Sequence, residues 1–335
     1  MNRYAGRASF AALLLLAVLV SACAGPQAVS STSTYGPTPS WSYVRTPLPQ
    51  LWWHIKAKVG EMHAKGKDGN RRTVAILDSG FLKGHEDVAK VDPSGVELCS
   101  TGRTNDFDDF NGHGTALAGI TLGRAKGAGI ATAGVAPQAT LFPIKVVCGV
   151  SNADRVISGV EIALAKRVDV ILVALGPWPS DLDVNKQTVH QRLLDKVKAA
   201  NDSNSETLFV VASVWDDTTY KLPEWTKQGN VLVVAAMTLA TDGSELEYSD
   251  KTGDIWAPGR DVETASIDDA DRKQHAPFFM QGTSAAAAIV AGCAAAIKND
   301  KEVGRDLRTR LKAAFVEYTL PGGRRGRLNC VRGLP

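Results

Sequence analysis

This 335-residue sequence has little charge imbalance, few aromatics and no internal repeat, and each shortage closes off a class of function. A formal net charge of +3 comes from 38 Lys and Arg against 35 Asp and Glu, so no strong field marks the chain as a binder of polyanions. The basic clusters Lys65-Gly66-Lys67 and Arg324-Arg325-Gly326-Arg327 lack interleaved aromatics and any nucleic-acid-binding motif, and they read as solvated surface. No nucleic-acid partner is expected. His54 and His63 have no zinc-ligand spacing, and Asp106, Asp108 and Asp109 lack the ligand spacing of a dedicated calcium loop, so no metal or cofactor is expected. Without a repeat, a solenoid or propeller is excluded, and residues 47–335 suffice for one large α/β domain.

Long apolar runs are also scarce. Residues 11–20 follow Arg3 and Arg7, are too short to span a bilayer as a mature helix, and fit the core of a signal peptide. The run ends in Val20-Ser21-Ala22-Cys23, which resembles the lipobox of bacterial lipoproteins and implies residues 1–22 as a signal peptide and lipidation of Cys23. Several acyl chains would give stable anchoring in the cell envelope, and Ala24 after the cysteine suits the outer membrane, facing periplasm or surface. Residues 23–46 are rich in Ser, Thr, Pro and Gly and read as a flexible tether. Of five cysteines, removal of Cys23 leaves Cys99, Cys148, Cys293 and Cys330, an even number for an oxidising compartment, with three pairings open.

Three segments carry chemistry. In Gly282-Thr283-Ser284, followed by Ala285 to Ala288, a hydroxyl sits at the start of a small-residue helix, whose N-terminal N–H groups and partial positive charge favour a nucleophile that generates an oxyanion. The apolar, β-branched run Thr73-Val74-Ala75-Ile76-Leu77 reads as a buried parallel strand delivering Asp78 at its carboxyl end, where open α/β sheets bind ligands. Asn111-Gly112-His113-Gly114-Thr115 places an imidazole between two glycines that permit close approach. Taken alone, Ser284 reads as a helix cap, Asp78-Ser79-Gly80 as a turn and His113 as a surface residue; the order Asp, His, Ser is what gives them a common purpose.

With A-I-L-D-S-G at 75–80, N-G-H-G-T-A-L-A-G at 111–119 and Q-G-T-S-A-A-A-A-I-V-A-G at 281–292, the sequence resembles the subtilisin-like serine protease family. The resemblance implies a serine endopeptidase acting on peptide or protein substrates as a monomer. In it Ser284 attacks the scissile carbonyl, His113 moves the proton and Asp78 orients His113, while the Ser284 N–H donates to the oxyanion. It further implies that Ala174, Leu175 and Gly176 wall the first specificity pocket, with the segment after Val146 pairing on the other side of an extended peptide. Family topology implies the pairings Cys99–Cys148 and Cys293–Cys330.

The sequence departs from the family where an Asn is expected to supply the second oxyanion donor. A gapless alignment puts Asp216 there and the bulky Trp215 beside it. Ionised, Asp216 cannot donate; either burial keeps it neutral or the donor lies elsewhere. Trp215 either narrows the pocket or is a core aromatic. These departures keep an alternative open, a catalytically impaired subtilisin-fold protein that holds peptides as a scaffold.

Strands over 73–77, 140–147, 169–174, 207–212 and 231–236 alternate with helices after His113 and over 152–166, 185–200, 284–298 and 306–315. That alternation predicts a mostly parallel sheet covered on both faces, the three-layer αβα arrangement that the resemblance also implies.

Overall fold

The computed structural model describes residues 52–100, 105–124, 133–175, 184–213, 224–240, 244–247, 253–265, 267, 278–314, 316–320 and 323–334. In chain order its elements begin with α1 (Trp52–Ala57), α2 (Val59–Ala64), β1 (Thr73–Asp78), β2 (Val96–Glu97), α3 (His113–Leu122) and β3 (Thr140–Lys145). A small hairpin of β4 (Val147–Cys148) and β5 (Val150–Ser151) leads into α4 (Ala153–Lys166), β6 (Val170–Val173), α5 (Val184–Asp202), β7 (Leu208–Ala212) and β8 (Val231–Leu239). There follow β9 (Glu245–Glu247), β10 (Ile255–Pro258), β11 (Val262–Thr264), β12 (Phe278–Met280), α6 (Thr283–Ile297), α7 (Gly304–Ala313), β13 (Val316–Leu320) and β14 (Gly323–Arg327).

The main sheet runs β13-β14-β10-β8-β7-β6-β1-β3-β2, with β9 attached to β8. Every pairing from β14 to β2 is parallel, and only β13 and β9 join antiparallel. From β1 the chain winds outward through β2 and β3, then returns to β6 on the opposite side of β1. The boundary between β1 and β6 is therefore a topological switch point, where a crevice opens beyond the carboxyl ends of the strands.

Both sheet faces are buried, and the side chains divide with the period of a strand. Val74, Ile76, Val170, Leu172, Leu208, Val210, Leu232 and Val234 pack with α3 and α6, whereas Ala75, Leu77, Ile171, Val173, Phe209, Val211, Val231 and Val233 pack with α4 and α5. The three layers predicted from sequence are present, and the predicted helices and strands match to within a few residues. Elements outside those expectations are α1, α2, the short strands β2, β5, β9 and β10, a 3-10 turn at Glu224–Lys227, the hairpin of β11 with β12, and the terminal hairpin of β13 with β14.

Helix α6 is buried at Thr283 and from Ala285 to Ile297, as its run of Ala requires. Small side chains let it approach α3 closely: a Cβ on Gly292 would stand 3.1 Å from the Thr121 carbonyl, and the Thr121 hydroxyl donates to the Ala288 carbonyl at 3.1 Å. The N-terminus of α6 is thereby fixed over the switch point.

Opposite that crevice, at the amino edge of the sheet, Lys298 follows α6 with its side chain wholly buried. It pairs with Asp169 at 3.0 Å, and Asp169 also accepts from the Thr73 N–H at 2.8 Å and lies 3.8 Å from Arg72. Removing the shared anion leaves the buried cation with only the half-exposed Glu206 carboxylate, 3.7 Å away. Asp169→Ala is expected to destabilise the fold by about 3–5 kcal/mol, read as a lowered urea midpoint; an unchanged midpoint would show that Lys298 finds compensation elsewhere.

Candidate active site

Asp78 ends β1 and is 1% exposed. Its Oδ1 accepts the Ser79 N–H at 2.7 Å and bonds His113 Nδ1 at 2.8 Å. The next residues bring His113 there. The Ser79 hydroxyl accepts from the Gly114 N–H at 2.9 Å, and a Cβ on Gly114 would lie 2.2 Å from the Gly80 carbonyl, so only glycine fits after the histidine. The turn before His113 is held by Asp109, which is fully buried. Its Oδ1 accepts from the N–H groups of Asn111 and Gly112, both at 2.9 Å, and its Oδ2 from the Thr115 N–H at 2.9 Å and hydroxyl at 2.7 Å.

The acids near His113 are thus used within the protein: Asp109 organises the loop, and Asp106 pairs with Lys83 at 3.1 Å. Asp109 is a positioning residue that sequence reasoning missed, because an Asp ahead of Asn-Gly-His looks no different from a surface acid. The two histidines without zinc spacing bond backbone carbonyls instead, His54 Nε2 with Ala133 at 2.6 Å and His63 Nε2 with Val135 at 2.9 Å. Burial lowers His54 to about 4, so it is neutral at physiological pH.

Ser284 is the second residue of α6, whose N-cap is Gly282. The Thr283 hydroxyl donates to the Ser213 carbonyl at 2.8 Å and pins the helix start to the end of β7. The Ser284 hydroxyl donates to the Ala174 carbonyl at 3.4 Å. Because Leu77 pairs with Val173, Ala174 lies just beyond β6 beside Asp78 on β1. Ser284 and the Asp78–His113 pair are thereby placed at the ends of the neighbouring strands β6 and β1. Ser284 bonds Ala174 and makes no hydrogen bond to His113, and at 3.4 Å its contact with Ala174 is weak.

Of the expected pocket wall, Ala174 is 7% and Leu175 5% exposed, and Leu175 packs into the core on the α4 and α5 face, leaving its backbone as what it can offer a ligand. Gly176, Trp215, Asp216 and Cys23 lie outside the described residues. The segment after Val146 forms the hairpin of β4 and β5, turning at Gly149 with φ +87°. Cys99 and Cys148 form the first implied disulfide, with Cα atoms 5.7 Å apart, tying the loop after β2 to this hairpin. The second implied bridge is corrected: Cys293 and Cys330 are buried free thiols. Burial, and next the hydrogen bond to Cys330, push the Cys293 thiol well above its usual range, and a protonated thiol is not a nucleophile for disulfide exchange.

Residues 69–318 match the model of the subtilase family. The chain belongs to that family. This subtilase is 30% identical over 272 residues to the major intracellular serine protease of Bacillus subtilis (strain 168), covering 79% of this chain and 81% of that one. It is 31% identical over 261 residues to an intracellular serine protease of Paenibacillus polymyxa, covering 75% of this chain and 74% of the relative. The fold is similar to the crystal structure of fervidolysin from Fervidobacterium pennivorans, described as a keratinolytic enzyme related to subtilisin, with TM-score 0.68 and 19% identity over 85% of this chain and 45% of that one.

Two opposing effects set the basicity of His113 in this subtilase. Burial disfavours the imidazolium, but the Asp78 carboxylate, by charge and by hydrogen bond, outweighs it with help from Asp109, and the pKa is raised above the ordinary value. Asp78→Asn removes the main raising effect and leaves the burial. The His113 titration followed by NMR is expected to move to lower pH than in the parent, below the usual histidine range; an unmoved titration would contradict the pairing.

Proposed function

We propose that this serine endopeptidase cleaves peptide bonds through Ser284, His113 and Asp78 by way of an acyl-enzyme. The observation that carries the proposal is the 2.8 Å bond between His113 Nδ1 and buried Asp78, which leaves Nε2 to serve a hydroxyl at the adjacent start of α6. The Ser284 hydroxyl leaves Ala174, gives its proton to His113 Nε2 and attacks the scissile carbonyl. Asp78 holds the tautomer and stabilises the imidazolium, which then protonates the leaving amine. Water repeats the sequence on the acyl-enzyme. The developing oxyanion faces the N-terminus of α6, where the Ser284 N–H and the helix dipole oppose its charge. A fluorophosphonate probe is expected to label the protein on Ser284 and to leave Ser284→Ala unlabelled. Absence of label from acid to neutral pH would instead support a peptide-holding scaffold.

Asp216 is assigned to the second oxyanion position on the alignment of its sequence with the family pattern. An ionised carboxylate there opposes the transition state, so Asp216→Asn is expected to raise kcat/KM at neutral pH by about 10²-fold or more, the scale attached to one such donor in this same family. A flat or lower rate across pH would remove Asp216 from the site. Substrates bind extended between Ala174-Leu175-Gly176 and the hairpin of β4 and β5.

Anchoring is proposed on the N-terminal sequence: cleavage before Cys23, acylation of its thiol and amine, and a tether over residues 23–46 that places the peptidase at the bacterial outer membrane. Expressed in a bacterium, Cys23→Ser is expected to move the protein from the membrane to the soluble fraction; retention in the membrane would exclude lipidation as the anchor.

A further inference from the structure

Phe110 stands out among the described residues. It is 66% exposed, and Ile55 at 62% is the other large hydrophobic side chain left so open. Its backbone is nonetheless held firmly. Asp109 beside it is fully buried and binds the N–H groups of Asn111, Gly112 and Thr115, so the turn that displays the ring is fixed on both sides of it. The ring is fixed too. The Lys145 ammonium lies 4.8 Å from its centroid and donates to the Asp108 carbonyl at 2.6 Å. Lys145 pairs in register with Asp78 across β3 and β1. Phe110 thus stands three residues before the proposed base and is braced by the strand residue beside the proposed orienting carboxylate.

We propose that Phe110 is a specificity-determining residue of this subtilase, presenting an apolar ring to a bulky apolar side chain of the peptide next to the scissile bond. A pre-ordered aromatic gives contact area while losing little conformational freedom on binding, which is why such residues serve as anchors in recognition sites. The Lys145 ammonium is engaged by the ring and by the Asp108 carbonyl, so the selected side chain is apolar. Phe110 takes no part in proton transfer; it acts on which peptide settles over His113. The proposal rests on the peptidase reading and adds the substrate class.

The test compares two series of quenched fluorescent peptides, one with Leu or Phe flanking the scissile bond and one with Ala there, cleaved by the parent, Phe110→Ala and Phe110→Tyr. Phe110→Ala is expected to lose about 3–10-fold in kcat/KM on the bulky series, through KM, the size of an aromatic or apolar contact pair. The Ala series should change less than about 2-fold, and Phe110→Tyr should restore the preference. Equal losses in both series would mean a purely structural role and overturn the proposal, as would unchanged selectivity. Fluorophosphonate labelling of all three proteins separates the two readings: label with cleavage but no selectivity change defeats only the role of Phe110, while a parent that neither labels nor cleaves defeats the peptidase reading and this proposal with it.

Discussion

The site depends on a backbone contact between Gly80 and Gly114. Those glycines let the turn after β1 and the first turn of α3 approach to a distance at which a Cβ on Gly114 would stand 2.2 Å from the Gly80 carbonyl. Closed in that way, the Ser79 hydroxyl meets the Gly114 N–H and the imidazole of His113 falls onto Asp78. Any larger residue at Gly114 forces the two segments apart. The basicity of His113 is therefore decided by packing before it is decided by charge.

A second constraint places the Ser284 hydroxyl at the end of β6, beside the strand that carries Asp78. Helix α6 is built of residues too small to hold it away from its neighbours, so it lies in the core against α3, with its start tied to Ser213 after β7 and its end followed by Lys298 in the ion network at the amino edge. The carboxyl edge of the sheet holds the proposed catalytic groups and the amino edge holds the buried Lys298 and its carboxylate partner. A change at Asp169 and a change at Asp78 thus act at opposite ends of the same layer, one through stability and the other through proton affinity.

Much of this was legible in the sequence because the signals were local. A β-branched run ending in Asp, glycines around a histidine and a Gly-Thr-Ser before an Ala-rich helix each state their own geometry, and the alternation of strands and helices gives the layers. What escaped was set by tertiary contact. Asp109 looks like one acid among three until its bonds to Asn111, Gly112 and Thr115 are seen. The cluster from Arg324 to Arg327 reads as solvated surface, yet it lies in a strand whose Arg327 pairs with Trp256 and donates to the Lys56 carbonyl. Trp52 and Trp53 are buried on a helix of six residues, too short to leave a periodic signal. Cys293 and Cys330 were matched as partners by topology, and they do meet, but as buried thiols.

In the proposed mechanism Ser284 becomes reactive by handing its proton to an imidazole already fixed by Asp78. The most direct measurement is the distance from His113 Nε2 to Ser284 Oγ in a crystal structure of the protein bound to a peptide aldehyde, whose hemiacetal mimics the tetrahedral intermediate. A distance of about 2.6–3.2 Å is expected, with the Asp78 bond to Nδ1 intact. An adduct on Ser284 in which the imidazole lies beyond hydrogen-bond reach of that oxygen, or has left Asp78, would contradict it.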